Sequence, residues 1–269
     1  MSQPSLTITL PDFVVATGVS SGLGEECARL LTRAGTKVVG VDVNAVAPDL
    51  AVSSNFQLVQ ASITEDSTWN SVLVTLDTWG STSADSLGFL GVAAVLDVGV
   101  LLDETLENWE RAWRVNVLGH IRGLQHVLPR LIQAKFGSVV VISSVDAKFA
   151  EQQLASYASS KAALELAIKT IALDYARTGV NFNILAPGPM RAGLFERHLA
   201  SADDPGVFLA TRTKRQPVGR IIGADEVAHA AAFLLSPSAS ALFGSTITAD
   251  GGLTVGFDFR TGEDGSSAR

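Results

Sequence analysis

Short runs of β-branched and other apolar residues alternate along the chain with longer stretches whose apolar positions recur at helical spacing. FVVATG (13–18), KVVGVDV (37–43), FQLVQAS (56–62), GVAAVLDVG (91–99), SVVVISS (138–144), VNFNILAPG (180–188) and STITADGG (245–252) predict seven strands. Between them, GEECARLLTRAG (24–35), a stretch from Glu65 to Asp77, a long one over 107–134, another over 155–177 and ADEVAHAAAFLLS (224–236) predict helices. The strand runs are apolar throughout instead of alternating, which is how strands covered on both faces read. This order implies an α/β fold: one doubly wound parallel sheet of about seven strands, helices on both faces, right-handed crossovers. Ligands of such sheets bind beyond the carboxyl ends of the strands, where the strand order reverses. Two stretches break the rhythm. TWGSTSADSLG (78–88) is small and polar and reads as a surface loop, and 187–220 is a long mixed segment suited to covering a site. Residues 1–260 read as one domain and TGEDGSSAR (261–269) as a flexible tail.

Hydrophobic residues make up 47% of the 269 positions and charged residues 17%, so the chain can bury a large core. The net charge of −7 repels phosphate, which argues against a nucleic-acid or anionic-membrane partner. The longest apolar run, 89–102, is broken by Asp97 and by glycines and is shorter than a membrane span needs. Cys27 has no second cysteine, and His120, His126, His198 and His229 are scattered, so neither a disulfide framework nor a metal site is expected. An unpaired cysteine and the absence of a secretory pattern suit a reducing cytoplasm. The predicted helix at 155–175 is apolar almost all round and must be covered on every side. A second copy of the chain is the expected cover for its outer face, with a wholly internal helix as the competing account.

Candidate chemistry gathers at predicted strand ends. The turn TGVSSGLG joins the first strand to the first helix. Its glycines, Gly18, Gly22 and Gly24, let backbone approach a pyrophosphate, and the amides of Ser20, Ser21 and Leu23 open a helix N-terminus that favours an anion. A tight turn without a ligand is the plainer reading. Asp42 ends the second strand, where a carboxylate can accept both hydroxyls of an adenosine ribose and repel a 2′-phosphate. No Arg or Lys lies in the turn or directly after Asp42, so NAD is favoured over NADP, with a turn-capping aspartate as the alternative. Ser144 closes the fifth strand. Tyr157 and Lys161 lie four residues apart, on one face of the next helix. Asn116 sits inside the long helix, where asparagine has poor propensity. Taken singly, each has a structural reading: a serine satisfying a turn, a tyrosine on the core face beside a lysine reaching water, a buried amide with a backbone partner.

Taken together, TGVSSGLG, VDVN, RVNVLG, ISS, YASSK, ILAPGPM, PVGR and ADGG resemble, in order and spacing, the short-chain dehydrogenase/reductase family over about residues 12–253. The resemblance implies a Rossmann-type core and an NAD(H)-dependent oxidoreductase that interconverts a secondary alcohol and a ketone. Tyr157 would be the general acid/base. Lys161 would hold the nicotinamide ribose and lower the Tyr157 pKa, by up to about three units if its charge acts at about 4 Å in a medium of effective dielectric ~20. Ser144 would orient the substrate oxygen, and Asn116 would keep a proton-relay water near Lys161. Ser62 and Ile63 would line the adenine, Gly99 would end the segment under the cofactor, and Pro187, Gly188 and Met190 would face the nicotinamide. The sequence departs from the family at Leu96-Asp97-Val98-Gly99, aligned with Asn-Asn-Ala-Gly, at Ser62 for an aspartate and at Ala192 for a threonine. Asp146, Phe149, Gln152, Leu154, Leu194 and Phe195 would line the substrate pocket beside Ser144 and Tyr157, with Asp146 expected to pair with Lys148 and contact with a polar substrate as the alternative. The expected partners are a small-molecule alcohol or ketone and further copies of the chain, as a tetramer or dimer. A non-catalytic NAD-binding sensor or scaffold and a 3-oxoacyl-thioester reductase are the alternatives.

Overall fold

Both-face burial is what the apolar runs deliver. In strand β1 (Phe13–Thr17), Phe13 and Val15 enter one core cluster while Val14 and Ala16 enter another on the opposite side of the sheet. The computed structural model describes residues 8–256, so the expected tail at 261–269 lies outside the described residues. The remaining strands are β2 (Lys37–Asp42), β3 (Phe56–Gln60), β4 (Ser86–Gly91), β5 (Phe136–Ile142), β6 (Val180–Pro187) and β7 (Ser245–Ala249). All neighbours pair in parallel, in the order β3-β2-β1-β4-β5-β6-β7. The order reverses between β1 and β4, and that gap is the switch point of the doubly wound sheet.

The helices divide between the faces. α1 (Gly22–Arg33) and α9 (Ala224–Leu235) pack on one through Leu23, Ala28, Leu31, Leu234 and Leu235. α3 (Asp66–Thr78), α5 (His120–Gln133) and α6 (Ala155–Asp174) cover the other through Trp69, Leu76, Leu124, Leu131, Leu164 and Ile168. Each leucine or isoleucine among them, once fully buried, contributes about 1.5–3 kcal/mol. A single turn, α2 (Pro48–Ala51), follows β2, and two helices, α7 (Gly193–Ala200) and α8 (Pro205–Lys214), occupy the expected covering segment. No helix among the described residues is long and apolar enough to cross a membrane.

Two expectations change, and one competing account falls. The fourth strand is Ser86–Gly91, not 91–99, and it takes the end of the stretch read as a loop. Its register explains the error. Gly91 pairs with Thr17 on one side and Val141 on the other, where β1 ends and β5 is about to. The apolar residues beyond it have no strand to pair with. Packing also requires the glycines that hid this strand: a Cβ on Gly91 would lie 2.6 Å from Val141 and 2.8 Å from His120. Next, the long helix is three pieces: α4 (Leu106–Trp113), a π-helical segment at Arg114–Gly119 and α5. The account that falls is a wholly internal α6. Leu166 and Leu173 on its outer side are 67% and 75% exposed.

Candidate active site

Beyond the carboxyl ends of β1 and β4 opens a cleft of about 1080 Å³, large enough for a dinucleotide and a substrate together. At one end it is lined by Gly18, Ser20, Ser21, Gly22, Leu23, Asp42, Ser62 and Ile63, as expected from the sequence. Gly18 has φ +73, and a Cβ there would stand 2.7 Å from the Ala93 nitrogen, so only glycine fits this turn. Gly24 does not line the cleft. A Cβ on it would meet the Gly18 carbonyl at 2.0 Å, so its part is to let α1 pack against the turn. The Asp42 carboxylate accepts hydrogen bonds from the Ser20 amide at 3.0 Å and the Asn44 amide at 2.9 Å, fixing it beside the turn with acceptor capacity left over. These features fit a dinucleotide: a cradle closed to side chains, free amides at a helix start and an acceptor where the ribose would lie.

The floor of the cleft is Val92, Ala93, Ala94, Val95 and Leu96, the segment that directly follows β4. Side chains take the place of strand partners there. Thr17 Oγ1 accepts from the amides of Val92 and Ala93 at 3.0 and 3.1 Å, and the buried His120 Nε2 donates to the Ala93 carbonyl at 2.9 Å. Burial, with the Lys161 charge adding, pushes the His120 pKa down to about 3, so the ring stays neutral. Asn116, in the π-helical segment, accepts from the Val95 amide at 2.8 Å and donates to the Val95 carbonyl at 2.9 Å and to Ser160 Oγ at 3.0 Å. Its side chain is therefore spent on holding the floor. Gly99, expected in this floor, lies outside the cleft. Its amide donates to the Gln153 carbonyl and it pairs with Leu154.

Ser144 leaves β5 in extended backbone and lines the cleft together with Tyr157, the third residue of α6. Lys161, one turn further on, is buried beneath them. Its Nζ donates to the Ile142 carbonyl at 2.8 Å and stands 5.8 Å from the centre of the Tyr157 ring. The ammonium thus lies over the Tyr157 ring. Burial acts on both groups toward neutrality. It raises the Tyr157 pKa, with the Asp146 charge adding to it and the Ser144 hydrogen bond opposing, and it brings Lys161 down to about 7. The Coulombic lowering of Tyr157 expected from Lys161 is not what this arrangement gives.

At the other end of the cleft, Asp146, Phe149, Gln152, Leu154, Leu194 and Phe195 are all present in the wall, and Pro187, Gly188, Met190 and Ala192 join the two halves. Asp146 does not pair with Lys148, which reaches Glu165 at 3.4 Å. It turns instead to Ser144: Ser144 Oγ donates to Asp146 Oδ2 at 3.0 Å and accepts from the Asp146 amide at 3.1 Å. Burial, then the charge of Glu151, pushes the Asp146 pKa up to about 6, against the pull of Ser144 and Arg212. Sequence reading missed Glu151 and Arg212, which line the cleft and form an ion pair across 61 residues. Arg212 also lies over the Phe208 ring at 4.8 Å, and that ring packs on Phe195 and His198. No local pattern announces a contact between two segments so far apart.

A family model described as enoyl-(acyl carrier protein) reductase matches residues 18–254. The chain belongs to the short-chain dehydrogenase/reductase family. It is 31% identical over 256 residues to the cis-4-hydroxycyclohexanecarboxylate dehydrogenase of Sinomonas cyclohexanicum, spanning 90% of this chain and 96% of that one. It is 28% identical over 247 residues to 2,5-dichloro-2,5-cyclohexadiene-1,4-diol dehydrogenase LinX of Sphingobium indicum, spanning 89% and 95%. Among solved structures, the ligand-free aldohexose dehydrogenase of Thermoplasma acidophilum superposes with a TM-score of 0.83 at 26% identity, covering 94% of this chain and 98% of that one. Membership makes the protein a short-chain oxidoreductase with the Rossmann-type fold described above. It also reframes one departure from the family pattern. The floor of the cleft is Val92–Leu96, so Asp97 and Val98 lie past it, and Asp97 pairs with Arg111 outside the cleft.

Proposed function

We propose that the protein is an NAD(H)-dependent dehydrogenase/reductase that interconverts a secondary alcohol and a ketone, with Tyr157 as general acid/base. The observation that carries this reading is the convergence of Ser144 and Tyr157 in the wall of a cleft whose far end is a glycine-built anion cradle. The amides of Ser21, Gly22 and Leu23 would hold the pyrophosphate, with the Ser20 amide committed to Asp42; Asp42 would hold the adenosine ribose, Ser62 and Ile63 the adenine, and Pro187, Gly188 and Met190 the nicotinamide. When bound, that cofactor takes up or returns hydride. The chain handles the proton. Tyr157 takes it from the alcohol or gives it to the ketone oxygen. Ser144 donates to the same oxygen as charge develops there. Lys161, with a pKa near 7 and its Nζ over the Tyr157 ring, would be the acceptor of the proton that Tyr157 sheds. The Asp42 carboxylate favours NAD, because a 2′-phosphate would meet a like charge. The two relatives described above, both dehydrogenases of ring carbinols, agree with a secondary alcohol as substrate.

Two further elements belong to this reading. The exposed outer side of α6, with Leu166 and Leu173, is the surface on which copies of the chain would associate, as a dimer or tetramer. A cytoplasmic setting rests on the single, buried thiol of Cys27. The test is a panel of secondary alcohols offered to the purified protein with NAD⁺ and, separately, with NADP⁺. Reduced nicotinamide should accumulate, faster with NAD⁺. Tight NAD⁺ binding with no turnover on any alcohol or ketone would favour a sensor instead.

A further inference from the structure

We infer that Asp146 recognises a second hydrogen-bond donor on the substrate, a hydroxyl or protonated amine on the carbon next to the reacting carbinol, so that this site takes vicinal diols or 1,2-amino alcohols in preference to simple alcohols. The inference deepens the function proposed above and rests on it.

The geometry is that of an acceptor held ready. Oδ2 of Asp146 is taken by Ser144 Oγ, whereas Oδ1 has no hydrogen-bond partner among the described residues and is not sealed from the cleft. No cation among the described residues forms an ion pair with this carboxylate. Lys148 goes to Glu165 and Arg212 to Glu151. A half-buried carboxylate without a cation is costly unless a donor satisfies it. The wall around it is largely apolar, with Phe149, Leu154, Leu194 and Phe195. A substrate that fits would therefore be apolar in its body, with its polar atoms gathered at one corner.

The spacing narrows the class. Ser144 is the proposed contact of the reacting oxygen, and Asp146 Oδ2 lies 3.0 Å from its Oγ. Heteroatoms on neighbouring carbons lie about one hydrogen-bond length apart, so a substrate whose first oxygen meets Ser144 brings the second to Asp146. This arrangement also couples binding to chemistry. With Asp146 unoccupied, the Ser144 proton points at Asp146 and away from the reacting oxygen. A donor from the substrate satisfies the carboxylate and frees that proton to turn to the oxygen, where it strengthens as charge develops.

The experiment compares kcat/KM for three substrates on one carbon skeleton, a mono-alcohol, the vicinal diol and the 1,2-amino alcohol, in wild type, Asp146→Asn and Asp146→Ala. Wild type should prefer a two-donor substrate, and Asp146→Ala should cut the ratio of two-donor to mono-alcohol kcat/KM by about 10- to 100-fold, the range for a hydrogen bond to a charged group. Asp146→Asn separates the sources. An amide oxygen still accepts from a hydroxyl, so the diol preference survives in part, whereas an ammonium loses its counter-charge and the preference falls as far as in the alanine variant. The groups facing Asp146 are Ser144, Tyr157, Glu151 and Arg212. Against that background the wild-type two-donor preference should fall as pH drops through about 6, and the Asp146→Asn profile should stay flat there. Calorimetric binding of the same substrates to Tyr157→Phe protein loaded with NAD⁺ gives a readout without turnover and should show the same ranking. Equal losses on all three substrates in Asp146→Ala, or a wild type indifferent to the second donor, would overturn the inference while leaving the dehydrogenase reading in place. No turnover of any alcohol by wild type would sink both.

Discussion

At the cofactor end of the cleft the wall is backbone: the amides of the turn after β1, glycines that admit no Cβ, and a carboxylate pinned by two amides. At the substrate end the wall is side chain: Asp146, Phe149, Glu151 and Arg212, roofed by α7 and α8, in which no residue is buried. α1, by contrast, buries half its length against the sheet. A ligand common to many reactions can be recognised by groups every sequence possesses, provided the fold brings them within reach. A particular substrate needs side chains that differ from one protein to another, on elements whose substitution leaves the core alone. The difference explains why one end was readable as a motif and the other was not.

The comparison can be broken at the rigid end with the largest effect. Gly18→Val places an L side chain at φ +73 against the Ala93 backbone, and strain and overpacking each cost about 1–3 kcal/mol. NAD⁺ affinity should fall by about 100-fold or more, measured by calorimetry, with loss of folded protein also visible in thermal unfolding. Asp42→Ala should reduce NAD⁺ affinity by about 10- to 100-fold and lower the NAD⁺/NADP⁺ preference. An unchanged ratio would remove Asp42 from the ribose site.

Between the two ends stands Lys161, whose folded pKa of about 7 lies below its ordinary 10.5. Between those values the unfolded chain carries a proton that the folded chain has shed, so stability rises with pH across that window and the penalty of the buried charge is fully present below about pH 7. Chemical denaturation of the cofactor-free protein at several pH values should show this rise, and Lys161→Met should flatten it. The smallest effect belongs to the roof. Leu194→Ala in α7 should shift KM by a few-fold with almost no change in thermal stability, because its helix buries nothing.

How far the chain could be read without coordinates follows the same division. The alternation of buried strands and helices is local, so six of the seven strands and the sheet class were legible. β4 was not, because Gly88 and Gly91 lower its strand signal for the sake of packing against Leu235, Val141 and His120. The apolar run after it owes its conformation to Thr17, His120 and Asn116, contacts that no window of sequence contains. Gly99 was misplaced for the same reason. Tyr157, Ser144 and the glycine turn were legible because their spacing follows from strand and helix geometry. The partner of Asp146 was not: a lysine two residues away in sequence lost to a serine two residues away on the other side, and only the path of the chain after β5 decides that.

The measurement that bears most directly on the account is alcohol-dependent reduction of NAD⁺ by wild type and by Tyr157→Phe at matched cofactor saturation. The phenol should be worth about 10²–10⁴-fold in kcat, with NAD⁺ affinity retained in the variant. A variant lacking the hydroxyl that still reduces NAD⁺ at the wild-type rate would contradict the assignment of proton transfer to Tyr157.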